Sequence, residues 1–223
     1  MCIICGGDYD VNMTDLDCSC CPDITCIPYL PLLTSLVCYE CPRLNHIQDL
    51  PLLIHLICSN CPLLICIPSL PSLTELWCNN CLCIERINDL PLLDFLRCDS
   101  CPLLHTISNL PSLTNLRCRK CPLIICIKNL PLLTHLDCCR CQSLTCAPNL
   151  PLLNHLQCNS CPFLYLSYKM RLKFNRPLKT LINKIRWLKL KTKRKFKNKL
   201  SSIILDNTVF YQVLIDIIAN YIN

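Results

Sequence analysis

Cysteine is the residue type in this sequence with the greatest capacity for chemistry, and its spacing is regular. Sixteen of the 25 cysteines fall into two repeating columns, one running from Cys18 to Cys158 and the other from Cys21 to Cys161. Each pair reads C-x-x-C, and the gap from one pair to the next, as between Cys41 and Cys58, matches a common spacing of zinc ligands. These thiols are candidates for zinc ligands, for disulfide partners or for small apolar side chains in a core.

The unbroken period favours a reduced, packed ladder of cysteines. A zinc site needs four ligands that converge at about 2.3 Å from one ion, whereas equivalent residues of stacked units lie in parallel ladders about 4.8 Å apart. The same parallel arrangement keeps the Cβ atoms farther apart than the roughly 3.5 to 4.5 Å that a disulfide requires. We therefore expect thiols without a stoichiometric metal, and zinc and disulfides remain the alternatives.

Nine cysteines lie outside these two columns. Cys2 and Cys5 form an isolated pair, for which a weak metal site and a disordered chain end are equally compatible interpretations. A third column contains Cys26, Cys66, Cys126 and Cys146, but His46, Arg86 and Thr106 take the same place in other units. No invariant ligand is therefore required in that column.

The cysteines belong to a longer repeat, L-P-x-L-x-x-L-x-C-x-x-C-P-x-L-x-x-I. Seven copies begin at Leu30, Leu50, Leu70, Leu90, Leu110, Leu130 and Leu150. An eighth, decayed copy begins near Met13 and lacks the leading Leu-Pro step. A fixed period of about 20 residues predicts a solenoid, in which each unit stacks on its neighbours to bury its apolar side chains.

The skeleton L-x-x-L-x-C-x-x-C resembles the leucine-rich repeat consensus over residues 13–166. The Leu-Pro step is similar to the short bacterial-effector subtype, and the C-P-x-L-x-x-I continuation is most similar to cysteine-rich leucine-rich repeat proteins of giant amoeba-infecting viruses. The resemblance implies short parallel strands on a concave face, with Leu36 and Cys38 buried and Ser35, Val37 and Tyr39 outward. The prolines exclude a long helix from the convex arc, which we expect to be irregular, 3₁₀ or extended.

The outward strand positions vary between units and form the predicted partner-binding face. Trp77, Phe95, Arg97 and Arg117 combine the aromatic and arginine side chains that are enriched in binding hot spots. The alternative is an ordinary solvated strand face. The predicted contact residues are His55, Ile57, Glu75, Trp77, Phe95, Arg97, Asn115, Arg117, His135 and His155.

Sequence features predict neither catalysis nor a cofactor. His55, His135 and His155 could ligate a metal or act as a base, but no carboxylate pair or nucleophile recurs beside them. The chain has only two glycines, so a glycine-rich phosphate loop is excluded. The bacterial effectors carry a cysteine-dependent ligase domain after their repeats, whereas no cysteine follows Cys161 here, so that activity is not transferred to this chain.

Charge separates the repeats from the end of the sequence. Residues 1–168 hold 8 Lys/Arg and 13 Asp/Glu, a net charge of −5, whereas residues 169–223 hold 14 Lys/Arg and 2 Asp, a net charge of +12. Apolar residues at helical spacing in 178–190 and again in 201–223 predict amphipathic helices, with too many polar interruptions for a membrane span. The basic run between them includes Lys191, Lys193, Arg194, Lys195, Lys197 and Lys199.

We predict an N-terminal cap at 1–12, a solenoid at 13–168 and a basic helical tail at 169–223. The tail could cap the last repeat, lie on acidic lipid or bind nucleic acid. No secretory signal is visible at the N-terminus, so we expect an intracellular protein, in host cytoplasm if the viral resemblance holds, and the basic run is also compatible with the nucleus. The leading hypothesis is a non-enzymatic protein-binding scaffold, and the alternative is a polyanion adaptor that acts through the tail.

Overall fold

The computed structural model describes residues 2–145, 150–161 and 164, and nearly all of their regular structure is short strand. A four-residue helix, α1 (Ile3–Gly6), precedes the strands. In chain order the strands are β1 (Asp15–Asp17), β2 (Cys26–Ile27), β3 (Ser35–Val37), β4 (His46–Ile47), β5 (His55–Ile57), β6 (Glu75–Trp77), β7 (Arg86–Asn88), β8 (Phe95–Arg97), β9 (Thr106–Ser108), β10 (Asn115–Arg117), β11 (Cys126–Lys128), β12 (His135–Asp137) and β13 (His155–Gln157).

Eight of these strands form one long parallel sheet in the order β1-β3-β5-β6-β8-β10-β12-β13. Each strand pairs with the equivalent residues of the next unit, so that Leu36 lies beside Leu56 and Leu96 beside Leu116. This offset of one full repeat at every step makes the described chain a parallel β-solenoid of about seven turns. The predicted repeat solenoid with short parallel strands is confirmed.

Proline occupies the second position of both turns in most units. The amide of Leu53 donates to the carbonyl of Leu50 at 3.2 Å, and the amide of Leu64 donates to the carbonyl of Cys61 at 3.2 Å. These are bonds between the first and fourth residues of a β-turn, and the second residue of each turn is a proline, Pro51 or Pro62. Proline fixes φ near the value that this position requires and has no amide hydrogen to satisfy. The Leu-Pro and Cys-Pro steps therefore reverse the chain twice in most units, whereas Leu82 and Gln142 replace the second proline in two of them.

The arc behind the long sheet is extended, and it is more regular than the sequence predicts. It contains a two-stranded parallel sheet, β2-β4, and a three-stranded parallel sheet, β7-β9-β11. The intervening unit forms no arc strand, because Pro68 stands where Gln48 uses its amide to bond the carbonyl of Ile27 at 3.0 Å. Proline cannot donate that ladder bond, so the arc sheet is interrupted at this unit.

The core consists of aligned columns between the long sheet and the arc. In one unit the fully buried side chains are Leu30, Leu33, Leu36, Cys38, Cys41, Leu44 and Ile47. Ser35 and Val37, the outward neighbours of Leu36, are half-buried, and Tyr39 is exposed, which confirms the predicted alternation along the strand. Each unit shares its apolar face with both neighbours, so the units are stable only as a stack.

The residue before each second-column cysteine adopts the left-handed backbone conformation, with a positive φ. This conformation turns the chain away from the strand direction. The φ is 59° at Asn60, 55° at Asn80, 56° at Lys120 and 65° at Arg140. Asn tolerates this region better than other residues that carry a Cβ. The same turn nevertheless accepts Lys and Arg, since the amides of these residues are bonded to the next unit.

The amphipathic segments 178–190 and 201–223 and the basic run fall outside the described residues. Within the residues that are described, no helix is long and apolar enough to cross a bilayer.

Candidate binding surface

The outward positions of the long sheet place the predicted aromatic and arginine side chains together at its centre. The rings of Trp77 and Phe95 lie 6.2 Å apart between centroids and are tilted by 36°. The guanidinium carbon of Arg97 lies 5.4 Å from the centroid of the Trp77 ring, within the range of a cation–π contact. All three side chains are half-buried, so they are held in position and still present surface to solvent. We call Trp77, Phe95, Arg97 and Arg117 the central cluster.

A carboxylate on the neighbouring position orients the tryptophan. The indole Nε1 of Trp77 donates to Glu75 Oε1 at 2.7 Å. The other oxygen, Glu75 Oε2, lies 3.3 Å from His55 Nδ1. Three predicted contact residues from β5 and β6 are thus linked, and the hydrogen bond fixes the tilt of the Trp77 ring.

The carboxylate of Asp99 lies between the side chains of Arg97 and Arg117. Asp99 is not among the contact residues that the sequence predicts. Its Oδ2 accepts from Arg117 Nε at 2.7 Å and lies 3.5 Å from Arg97 Nε. Its Oδ1 accepts from the backbone amide of Arg119 at 2.8 Å. The Arg97 Nε atom is buried and makes no hydrogen bond within the described part of the chain. Arg117 is therefore satisfied by Asp99, whereas Arg97 is only weakly paired.

The column that contains Asp99 continues the outward face beyond each strand. The Ser59 hydroxyl accepts from the Asn79 amide at 3.0 Å, and Asn79 Oδ1 accepts from the Asp99 amide at 2.9 Å. Each of these side chains thus accepts a hydrogen bond from the backbone amide of the equivalent residue in the next unit. These bonds keep the ends of neighbouring strands aligned. The signal was available in the sequence, because the alternation that makes Tyr39 outward also makes Ser59, Asn79, Asp99 and Arg119 outward.

A second ion pair extends the charged part of the face. Arg119 donates from Nε to Asp137 Oδ2 at 2.6 Å and from Nη2 to Gln157 Oε1 at 3.0 Å. Partial burial would raise the pKa of the Asp137 carboxyl, but hydrogen bonds from Arg119 and Cys139 outweigh it, so the pKa lies below its ordinary value. Asp137 is consequently ionised at neutral pH and holds Arg119 across the boundary between units.

An open groove of about 760 Å³ is lined in part by Trp77 and Arg97 of the central cluster and by Asp99. Its apolar lining comes from Val37, Tyr39, Ile57 and Trp77, which belong to the earlier units, whereas its cationic lining comes from Arg97, Arg117, Arg119 and Lys120. Only Asp99 among the lining residues carries a negative charge. The groove therefore changes from apolar to positively charged along the direction in which the units stack.

The other predicted contact residues lie farther along the same face. The His135 and His155 rings are 5.5 Å apart between centroids, and His135 Nδ1 lies 2.8 Å from Thr134 Oγ1. The side-chain amide of Asn115 donates to Thr114 Oγ1 at 2.9 Å. These residues share the sheet with the central cluster but do not line the groove.

The cysteine columns run inside the solenoid and use their thiols within the fold. The Cys61 thiol donates to the carbonyl of Cys38 at 3.0 Å, and the Cys101 thiol donates to the carbonyl of Cys78 at 3.1 Å. The same bond recurs at Cys41, Cys81, Cys121, Cys141 and Cys161. Burial raises the pKa of the Cys98 thiol in the other column well above its ordinary value. Most ladder thiols are thus neutral donors or packed side chains, which makes them poor metal ligands and nucleophiles, whereas hydrogen bonding with Cys58 lowers the pKa of the Cys81 thiol.

Comparison of the chain with protein-family models, with curated proteins and with solved structures finds no match in any of the three.

Proposed function

We propose that this chain is a non-enzymatic binding protein of the leucine-rich repeat class, and that it holds a partner protein on the outward face of the long sheet. The observation that carries the proposal is the central cluster, where Trp77 packs against Phe95 and Arg97 beside an open groove. Buried hot spots in protein interfaces are enriched in tryptophan and arginine. The leucine-rich repeat assignment is supported by the repeat skeleton and by the parallel register of equivalent residues in successive units.

The lining of the groove indicates the chemistry of the partner segment. An apolar side chain would be buried against Val37, Ile57 and Trp77, and a carboxylate would pair with the exposed part of the Arg97 guanidinium, since this side chain is 32% exposed and only weakly paired with Asp99. Guanidinium groups bind carboxylates with two parallel hydrogen bonds. The proposed ligand is therefore an acidic protein segment with an apolar anchor.

The binding side chains are preorganised, which favours affinity. Trp77 is held by Glu75, and Arg117 and Arg119 are held by Asp99 and Asp137. Side chains that are ordered before binding lose less conformational entropy when the partner docks. The proposal also includes an intracellular location, because ladder cysteines such as Cys61 and Cys101 use their thiols as hydrogen-bond donors in the core, and thiols persist in a reducing compartment.

Replacing the two central side chains should abolish most of the binding. A Trp77→Ala/Arg97→Ala double variant of the full chain should weaken capture of the partner by about 30-fold or more, because a hot-spot residue contributes about 2 kcal/mol or more. The measurement is affinity capture from cell extract under reducing conditions, with bound proteins quantified by mass spectrometry, followed by a titration of the purified partner.

The matched control is Leu63→Ala/Ile65→Ala. These two side chains are also apolar and are 49% and 62% exposed, but they lie in the segment that leads to the arc. Binding should survive this change. If both double variants lose the same partners, or neither loses any, the outward face of the long sheet is not the binding surface.

The charge distribution of the sequence favours a second candidate function, polyanion binding through residues 169–223. Fourteen Lys/Arg and no acidic residue occur between Lys169 and Lys199. This density of positive charge is higher than a helix that only caps a solenoid requires. Neutralised phosphates release counterions, and each contributes about −0.9 to the slope of log affinity against log salt for duplex DNA. Acidic lipid would contribute about 1 kcal/mol per basic residue near the membrane surface.

Neutralising the basic run should remove this affinity. We expect the full chain to bind DNA, RNA and anionic vesicles at low salt, with no preference for base sequence, because no base-reading motif is present. A variant with Lys191, Lys193, Arg194, Lys195, Lys197 and Lys199 changed to Gln should bind more weakly and show a shallower salt dependence. Equal binding by the two proteins would show that the run is only a solvated surface.

A further inference from the structure

Cys21 differs from the later second-column cysteines in the atom that its thiol contacts. In the later units this thiol donates to the carbonyl of a first-column cysteine in the unit before, as Cys41 does to Cys18 at 3.2 Å. The sulfur of Cys21 instead lies 3.5 Å from the sulfur of Cys5. Because Cys21 is only 4% exposed, its sulfur is buried in a setting that differs from that of its equivalents.

The N-terminal segment brings two further thiols to this sulfur. Cys5 Sγ lies 3.5 Å from Cys21 Sγ and 3.6 Å from Cys2 Sγ. All three sulfurs lie within 4.8 Å of one another. Three thiolates bound to one zinc ion at about 2.3 Å in tetrahedral directions are about 3.8 Å apart from each other. The observed separations fit one shared ion and are far longer than the roughly 2 Å of a disulfide bond.

The backbone around the cluster is shaped to present the sulfurs. The single turn α1 places Cys2 and Cys5 on the same side, with the Gly6 amide bonded to the Cys2 carbonyl at 3.1 Å. Gly7 follows in the left-handed region with φ 74°, which glycine adopts without strain. The sequence C-x-x-C-G-G thus forms a single helical turn that places the sulfurs of Cys2 and Cys5 beside Cys21 in the first unit of the solenoid.

We propose that Cys2, Cys5 and Cys21 bind one zinc ion through three thiolates, and that the fourth position accepts water or an external ligand. Three soft sulfur ligands select thiophilic ions such as zinc over calcium or magnesium. The ion would join the N-terminal segment to the first unit, in the place where every later unit has a neighbour. This site revises the expectation of a metal-free chain, while the ladder cysteines keep their role in the core.

The test uses the full chain, reduced and freed of metal, and titrated with Co²⁺ as a spectroscopic probe and then with Zn²⁺. We expect one Co²⁺ per chain, with thiolate-to-cobalt absorption in the near ultraviolet and visible bands typical of tetrahedral coordination. Zn²⁺ should displace the probe and remove both signals. Elemental analysis of the zinc-loaded protein should then give one zinc per chain.

Single substitutions assign the ligands. Cys5→Ser and Cys21→Ser should each reduce the affinity for the metal at least 100-fold, whereas Cys66→Ser, which removes an exposed thiol in the arc, should leave it unchanged. Circular dichroism of each apo variant establishes that the solenoid is folded, and Cys5 provides an informative variant even if Cys21→Ser is unstable, since Cys5 lies outside the sheets. Absence of the thiolate-to-cobalt band in the wild type, or an equal band in Cys5→Ser, would overturn the proposal.

Discussion

Raising the pH from 8 to 10 should reduce the free energy of unfolding of this protein by at least about 5 kcal/mol. Burial raises the pKa of Cys78 and Cys98 well above 9.0, and hydrogen bonds with neighbouring thiols together with burial do the same for Cys58 and Cys118. The unfolded chain loses these protons near and above pH 9, whereas the folded chain keeps them. These four thiols together contribute about 5 kcal/mol over this interval, roughly three quarters of it above pH 9, and the other ladder thiols with raised pKa values add to it.

The direction of this effect follows from proton counting. Between the unfolded and folded pKa values the native state binds more protons than the unfolded state, so stability falls as the pH rises. Below pH 8 the same thiols are neutral in both states and the contribution is fully present. Urea unfolding followed by circular dichroism at pH 7.5, 8, 9 and 10, with a phosphine reductant, measures the slope.

A variant without two of these thiols provides the control for the alkaline effect. Cys98→Ala/Cys118→Ala should be less stable at every pH because it leaves cavities, but its loss of stability between pH 8 and 10 should be smaller than that of the wild type by about 3 kcal/mol, since two of the titrating groups are absent. A flat profile for the wild type, or identical slopes for the two proteins, would mean that the ladder thiols are not shielded from water.

Leu93→Ala should destabilise the protein by about 2 to 5 kcal/mol, whereas Leu92→Ala should change the free energy of unfolding by no more than about 0.5 kcal/mol. The two leucines are adjacent in the Leu-Pro turn, but Leu93 is fully buried and Leu92 is 52% exposed. Truncating Leu93 leaves a cavity between two units, and truncating Leu92 only removes surface that is already hydrated.

Urea unfolding of the two variants and the wild type at pH 7.5 gives the comparison. Because the substitution is chemically identical at neighbouring positions, any difference between the variants reflects burial alone. Equal losses, or a greater loss in Leu92→Ala, would place the wrong leucine column in the core and contradict the register of the long sheet.

The period of the sequence was sufficient to predict the core columns and the long sheet. Leu36, Cys38 and their equivalents recur with the same spacing, so stacking in register is the only arrangement that buries all of them together. The arc strands were not predicted, because Cys26, His46, Arg86 and Thr106 share no strand preference. Their extended form comes from pairing with neighbouring units, and Pro68 interrupts it.

The binding surface was predicted only in part, and the missing residues have a common reason. Asp99 is one of many exposed polar residues in the sequence, and its importance comes from contacts with Arg117 and the Arg119 amide in the following unit. The spacing of Cys21 assigns it to the ladder, because that spacing is identical to that of Cys41. Only the structure shows that the Cys21 sulfur contacts Cys5, whereas the Cys41 thiol donates to a carbonyl of the preceding unit.

The one-unit offset of the hydrogen bonds also determines how such a gene can change in length. Each unit bonds almost only to the units before and after it, so a deletion of residues 90–109 would bring Leu110 into the place of Leu90 with every column in phase. Recombination between misaligned copies could thus remove or add whole units without altering the fold, whereas loss of a single residue would shift one strand out of register. Each added unit would supply two new outward strand side chains, and the lineage could vary its binding face by copying units.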